Sequence, residues 1–253
     1  MTPATSSSSL TIERYLDLLR ADMSRLREVG DGDLTAAVPP CPGWTLADVL
    51  HHTAEVYLHK VESMRTGSPP DPWPRDDFVD REPREFFTDA SAQLLHELET
   101  RDPDEPSWTW VEADQQVGFW HRRMTQETAV HRVDGELAAA EVTPIDRDLA
   151  ADGVDEVLRL MLGGPWWTMF DTTSPIDARV RVSTGDRSWT ATCSATSVTI
   201  DERDGGGVAA TVSGEPHDVL LWLWGRVDDQ AVQLDGDPTV VAALRQRLVE
   251  ATQ

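Results

Sequence analysis

Positive charge is scarce in this chain, and lysine is almost absent. Among 253 residues, 22 Lys and Arg stand against 45 Asp and Glu, for a formal net charge of −23, and Lys60 is the single lysine. So acidic a surface repels a phosphate backbone or an anionic membrane at long range, which excludes nucleic acid and membrane as partners. The preference for arginine reads as a coding bias toward GC-rich codons, because exposed Lys and Arg are nearly interchangeable outside bidentate contacts. Cysteine is equally sparse: Cys41 and Cys193 allow neither a disulfide framework nor a four-cysteine metal site. Any metal must be held by histidine and carboxylate. Long apolar runs are missing, with no window approaching the ~20 apolar residues of a membrane span. The Ser/Thr-rich stretch from Met1 to Leu10 lacks the basic-then-apolar order of a secretion signal. A soluble, cytoplasmic monomer is expected.

What is present is a chain long enough for one large or two modest domains, 40% hydrophobic and 26% charged. From Thr11 to Val29, Ile12, Tyr15, Leu16, Leu19, Met23 and Leu26 form the stripe of an amphipathic helix. Thr45, with Asp48 three residues on, opens a second helix that runs to about Met64. A Pro-rich excursion from Gly67 to Pro83 follows, and long loops of this kind are often lids or binding loops. Further helices are expected from about Glu85 to Glu99 and Val117 to Ala140, giving an antiparallel four-helix bundle. A short helix at Val154 to Leu162 leads to a different texture. There, alternating segments at Ala178 to Val182, Trp189 to Cys193, Ser197 to Ile200 and Val208 to Val212 predict an antiparallel sheet, with a turn at Thr184-Gly185-Asp186. Helices from Glu215 to Trp224 and Pro238 to Thr252 complete an α+β half.

The chemistry must come from seven histidines: His51, His52, His59, His96, His121, His131 and His217. His52 lies within the apolar stripe of the second helix, three residues after Val49 and four before Val56, whereas His51 points about 100° away. Glu127 and His131, four apart, stack on one face of the fourth helix with Met124 and Asp134. A buried carboxylate needs compensation, and a divalent cation held by three N/O ligands with an open position is the arrangement of a catalytic zinc. Spacing leaves the alternatives open: an exposed or mutually bonded Glu/His pair, and a core histidine satisfied by a hydroxyl. Asp134 is either an acceptor for an imidazole N–H or a partner of Arg132. Cys41, in a Pro-rich loop before a helix, is either a nucleophile of depressed pKa or a small packing residue. Walker, Gly-x-Gly-x-x-Gly, Gly-x-Ser-x-Gly and His-Glu-x-x-His motifs are all missing.

Three segments carry a resemblance: Pro42-Gly43-Trp44-Thr45-Leu46-Ala47-Asp48-Val49-Leu50-His51-His52, Glu127-Thr128-Ala129-Val130-His131-Arg132-Val133-Asp134, and Leu221-Trp222-Leu223-Trp224-Gly225-Arg226 followed by Gly236-Asp237. In order and spacing they resemble the mycothiol-dependent maleylpyruvate isomerase family along nearly the whole chain. The resemblance implies two domains. One, over 1–148, is an all-α DinB-like metal-binding four-helix bundle; the other, over 149–253, is an α+β sterol-carrier-like domain with an antiparallel sheet. It places the family's metal ligands on His52, Glu127 and His131, with zinc or another divalent metal as cofactor. It also makes Arg226 a catalytic arginine reaching toward the active site. The implied cosubstrate is mycothiol, a low-molecular-weight thiol. As a zinc-held thiolate it would attack a small electrophilic molecule, either isomerising it or staying attached as in S-transfer.

Two further readings belong to other classes. A thiol-independent metal hydrolase would use the same bundle. A non-catalytic binder would hold an apolar ligand against Trp166-Trp167 or Trp222 and Trp224, although tryptophan is more often core. The acidic far field also disfavours a dianionic substrate such as maleylpyruvate but not the uncharged body of mycothiol, which puts thiol transfer beside isomerisation.

Overall fold

The computed structural model describes residues 10–139, 141–164, 176–185, 187–202 and 206–252. They fall into two compact units, one over Leu10–Thr143 and the other from Pro144 onward.

The first unit is built from helices α1 (Ile12–Gly30), α2 (Leu46–Thr66), α3 (Pro83–Thr100) and α4 (Val117–Ala139). Tyr15, Leu19, Met23 and Leu26, the centre of the stripe read from the sequence, are buried on α1. At the start of α2, Asp48 accepts from the Thr45 backbone N–H at 2.7 Å and from its hydroxyl at 2.6 Å, which pulls the Asp48 carboxyl below its usual pKa. Gly67 ends α2 in the left-handed region, at φ 71°. In packing, α1 lies on α4, α2 on α3, and α2 also on α4. Gly135 makes the α1–α4 approach possible, since a Cβ there would stand 2.9 Å from Leu26 Cδ1.

Helix α4 is enclosed on almost every side, and its polar residues therefore carry internal partners. Arg132 donates to Asp22 at 3.1 Å and to Glu136 at 2.6 Å, and Arg25 donates to the other Glu136 oxygen at 2.7 Å. Such a network compensates charges that would be costly to bury alone. No helix among the described residues is long and apolar enough to cross a membrane.

The second unit opens on α5 (Arg147–Glu156), which runs into a π-helical turn at Val157–Leu162. The sequence placed this helix only from Val154. Asp148, Asp152 and Asp155 dilute the apolar signal of its first turns, yet Leu149, Ala150 and Val154 are fully buried. Asp146 caps it by accepting from the backbone of Asp148 and Leu149.

Five strands follow: β1 (Ala178–Thr184), β2 (Arg187–Cys193), β3 (Val198–Asp201), β4 (Ala210–Gly214) and β5 (Gln233–Gly236), in the order β3-β2-β1-β4-β5. Pairing is antiparallel except between β1 and β4, which are parallel, with Val180 opposite Ala210 and Val182 opposite Val212. Helices α6 (Pro216–Leu223) and α7 (Pro238–Thr252) complete the α+β unit. Strand β5 was not read from the sequence because Gln-Leu-Asp-Gly has one apolar residue and is wholly exposed; backbone pairing with β4 alone defines it. Trp166, Trp167, Asp186 and the first nine residues of the Ser/Thr-rich tail lie outside the described residues.

Candidate metal centre

Packing of α2 on α4 sets the second turn of one helix beside the middle of the other. His52 comes from α2, and Glu127 and His131 come from successive turns of α4. One ligand atom from each lies within 4.8 Å of the other two. Nε2 of His131 is 3.2 Å from Glu127 Oε1, and Nε2 of His52 is 3.8 Å from the same oxygen. The imidazole rings stand 5.0 Å apart and nearly perpendicular. Of the residues in the sequence argument, these three are the ones that converge.

The surroundings orient this set. Asp134, fully buried one turn beyond His131, lies 3.0 Å from its Nδ1. The imidazole thus offers Nε2 to Glu127 and His52, and the choice left open for Asp134 goes to the imidazole, Arg132 being held by Asp22 and Glu136. Burial would raise the Glu127 carboxyl, but the Arg123 and His131 charges and the imidazole hydrogen bonds outweigh it and hold Glu127 well below its usual range. Burial likewise works against the charged form of His131, yet Glu127 and Asp134 push its pKa up to about 9. Two imidazoles and a carboxylate with ligand atoms this close form a donor set suited to a borderline divalent cation such as zinc.

One expectation is corrected here. His52 does not face the core: its side chain is 38% exposed, against 10% for His131. The buried face of α2 is centred on Leu50, Thr53, Ala54, Tyr57 and Val61, which leaves His52 at its edge. The set consequently opens to solvent on the His52 side.

Two contributors escaped the sequence reading, and a third side chain lies farther along α2. Trp44, just before α2, lies 5.0 Å from the His52 ring and stacks at 6.3 Å on His131, walling the centre on one side. Arg123, one turn before Glu127, donates to Glu127 Oε2 and is 3% exposed; the i, i+4 Arg/Glu spacing was a legible signal. Lys60 lies two turns beyond His52 and feels the fields of Glu127 and Arg123.

The other histidines are accounted for. His121 is a satisfied core residue between the carbonyls of Leu98 and Val117. His51 reaches the Phe78 carbonyl at 2.9 Å, and His96 is exposed. In the second unit, His217 accepts from the Ile145 backbone at 3.1 Å. His59 packs against Trp73 of the Pro-rich excursion and Trp108. Phe78 anchors that excursion, seated on Phe86 at 5.0 Å. Cys41 occupies a tight backbone turn between Val38 and Trp44.

In the second unit, Gly225 adopts φ 75° at the end of α6, and Arg226 follows it with its guanidinium donating to the Trp224 carbonyl at 2.7 Å. Trp222 is fully buried and donates to Asp229 at 2.8 Å, and Trp224 is 9% exposed. Both side chains are packed inside the second unit.

Comparison with known proteins follows the same two-part division. Residues 16–135 match the mycothiol maleylpyruvate isomerase N-terminal domain, and residues 148–243 match the MDMPI C-terminal domain. Among solved structures, a mycothiol-dependent maleylpyruvate isomerase superposes with a TM-score of 0.62 at 16% identity, covering 89% of this chain and 93% of that one. A histidine-to-alanine mutant of such an isomerase gives 0.60 at 15% identity with the same coverage. At these identities the likeness establishes the fold. No curated protein matches the sequence.

Proposed function

Because the chain belongs to the mycothiol maleylpyruvate isomerase family, we propose that it is a mycothiol-dependent enzyme whose centre is the His52, Glu127 and His131 set. The observation that carries this reading is the convergence of those three ligand atoms at a partly open position. Zinc is the cation the donor set favours, and when bound it supplies a Lewis acid that keeps a thiol as thiolate near neutral pH.

The chain's own residues do the rest. Asp134 fixes the tautomer and tilt of His131. Arg123 holds Glu127 ionised. Trp44 shields the imidazoles on one side, and the exposed edge at His52 is where thiol and substrate enter. Mycothiol adds through sulfur to one alkene carbon of an electrophilic substrate, and the electron pair moves onto the conjugated carbonyl oxygen. Rotation about the resulting single bond and expulsion of the thiolate return the trans isomer, with no net redox change. In S-transfer, sulfur displaces a leaving group and remains attached. Arg226, taken from the Gly225-Arg226 motif, binds the substrate carboxylate or the developing enolate.

The test is turnover of zinc-loaded protein with maleylpyruvate, with and without mycothiol. Thiol-dependent appearance of the trans isomer is the expected result, and accumulation of a thioether conjugate instead assigns S-transfer. Hydrolysis of an ester or amide at the same rate without thiol would overturn both.

A further inference from the structure

Lys60 stands out twice, as the only lysine in the chain and as a half-buried cation without a carboxylate. Several arginines of the first unit sit against acids: Arg65 and Arg101 share Glu97, and Arg25 and Arg132 share Glu136. The Lys60 ammonium has no carboxylate within 4.0 Å among the described residues. Its neighbours are the indole faces of Trp110 and Trp120, at 5.4 and 5.2 Å, and Nδ1 of His59 at 3.3 Å. Indole faces attract a cation but do not neutralise it. Burial accordingly drags its pKa down to about 8. Burial, with the Lys60 charge beside it, lowers His59 to about 4, so the imidazole is neutral and Nδ1 accepts from the ammonium.

Lys60 is on the same helix as His52, two turns along, and Glu127 is the carboxylate whose field it feels. His59, Lys60, Trp73, Trp108 and Trp110 are all partly exposed, so the aromatic lining borders solvent. A compact ammonium with three donors suits a single negative oxygen group, where a guanidinium fork would favour a fixed bidentate partner.

We propose that Lys60, backed by Trp110 and Trp120 and bonded to His59, is an anion subsite of the first unit that binds the carboxylate of a small organic acid. One monoanion neutralises one ammonium; a phosphate dianion would bring excess negative charge toward Glu127 in an already acidic molecule. The proposal deepens the function proposed above by giving a carboxylate a contact on the first unit, at Lys60, and it rests on that reading only in treating the ligand as substrate.

A single lysine gives a direct probe. Zinc-loaded protein grown on lysine labelled with carbon-13 at Cε shows one lysine side-chain resonance. Butyrate, a monoanion, should move it saturably; butyramide, the same skeleton without charge, should leave it in place, and inorganic phosphate should shift it much less. In calorimetry, Lys60→Met should weaken butyrate about tenfold while zinc content and mycothiol affinity are unchanged, and Lys60→Arg should recover part of the loss. A resonance indifferent to butyrate, an equal response to phosphate, or wild-type butyrate affinity in a folded Lys60→Met protein would overturn the proposal. None of these readouts uses turnover, so a failure of the thiol chemistry would show separately in the mycothiol assay.

Discussion

Asp134 Oδ2 lies 3.0 Å from His131 Nδ1, with the carboxylate fully buried and the imidazole nearly so. An acceptor in that position makes the opposite nitrogen a better ligand and holds the ring in place. Asp134→Asn keeps the volume but removes the charge. Zinc affinity, read by competition with a chromogenic chelator, should fall by about 10–100-fold, the usual cost of losing such a partner. Unchanged affinity would reduce Asp134 to a packing residue.

The two imidazoles differ in exposure, and their removal should differ accordingly. His52→Ala deletes a half-exposed ring at the edge of α2, so metal and turnover should vanish while the metal-free protein loses no more than about 1 kcal/mol in urea unfolding. His131→Ala deletes a buried ring and one hydrogen-bond partner of buried Asp134, which should also destabilise the metal-free fold, by about 2–3 kcal/mol. Full zinc occupancy in His52→Ala would sink the ligand assignment.

The shared face of Glu127 and His131 was legible because helix periodicity sets them together whatever the tertiary structure does; spacing left their role open, and grouping them with His52 came from the family resemblance. The tilt of α2 was not legible, since it depends on which neighbours α2 packs against, and this put His52 at an edge instead of in the core. Strand β5 and the first turns of α5 were hidden for a related reason. Gln233–Gly236 is a strand by virtue of backbone bonds to β4, and two aspartates of α5, Asp152 and Asp155, are buried, the second against a partner remote in sequence, with Trp189 Nε1 donating to it at 2.8 Å. Lys60 was passed over as a product of codon bias; its meaning comes from Trp110 and Trp120, fifty and more residues away.

Arg226 offers a kinetic test that leaves the metal alone. If it binds a substrate carboxylate, Arg226→Met should raise the KM for an acidic electrophile about tenfold or more while zinc stoichiometry and mycothiol affinity stay at wild-type values. Loss of zinc or of folding in that variant would instead assign the guanidinium, now bonded to the Trp224 carbonyl, to structure.

Glu136 should set much of the acid stability of the first unit. It is fully buried between Arg25 and Arg132, with the Thr143 backbone N–H donating to it at 2.9 Å. Burial alone would raise its carboxyl, but the arginines and Thr143 outweigh burial and lower it below 4.5. A group whose pKa falls on folding stabilises fully above the unfolded value, and the contribution disappears as pH drops through the lower folded value. Urea unfolding of the wild type should thus be flat in this contribution from pH 7 down to about 5 and then weaken steadily below 4.5. Glu136→Gln leaves two cations without their shared carboxylate and should cost about 3–5 kcal/mol at pH 7. Because the variant has no carboxylate to protonate there, its deficit relative to wild type should narrow as the pH falls below 4.5. A deficit independent of pH would mean that the residue matters for packing and not for charge.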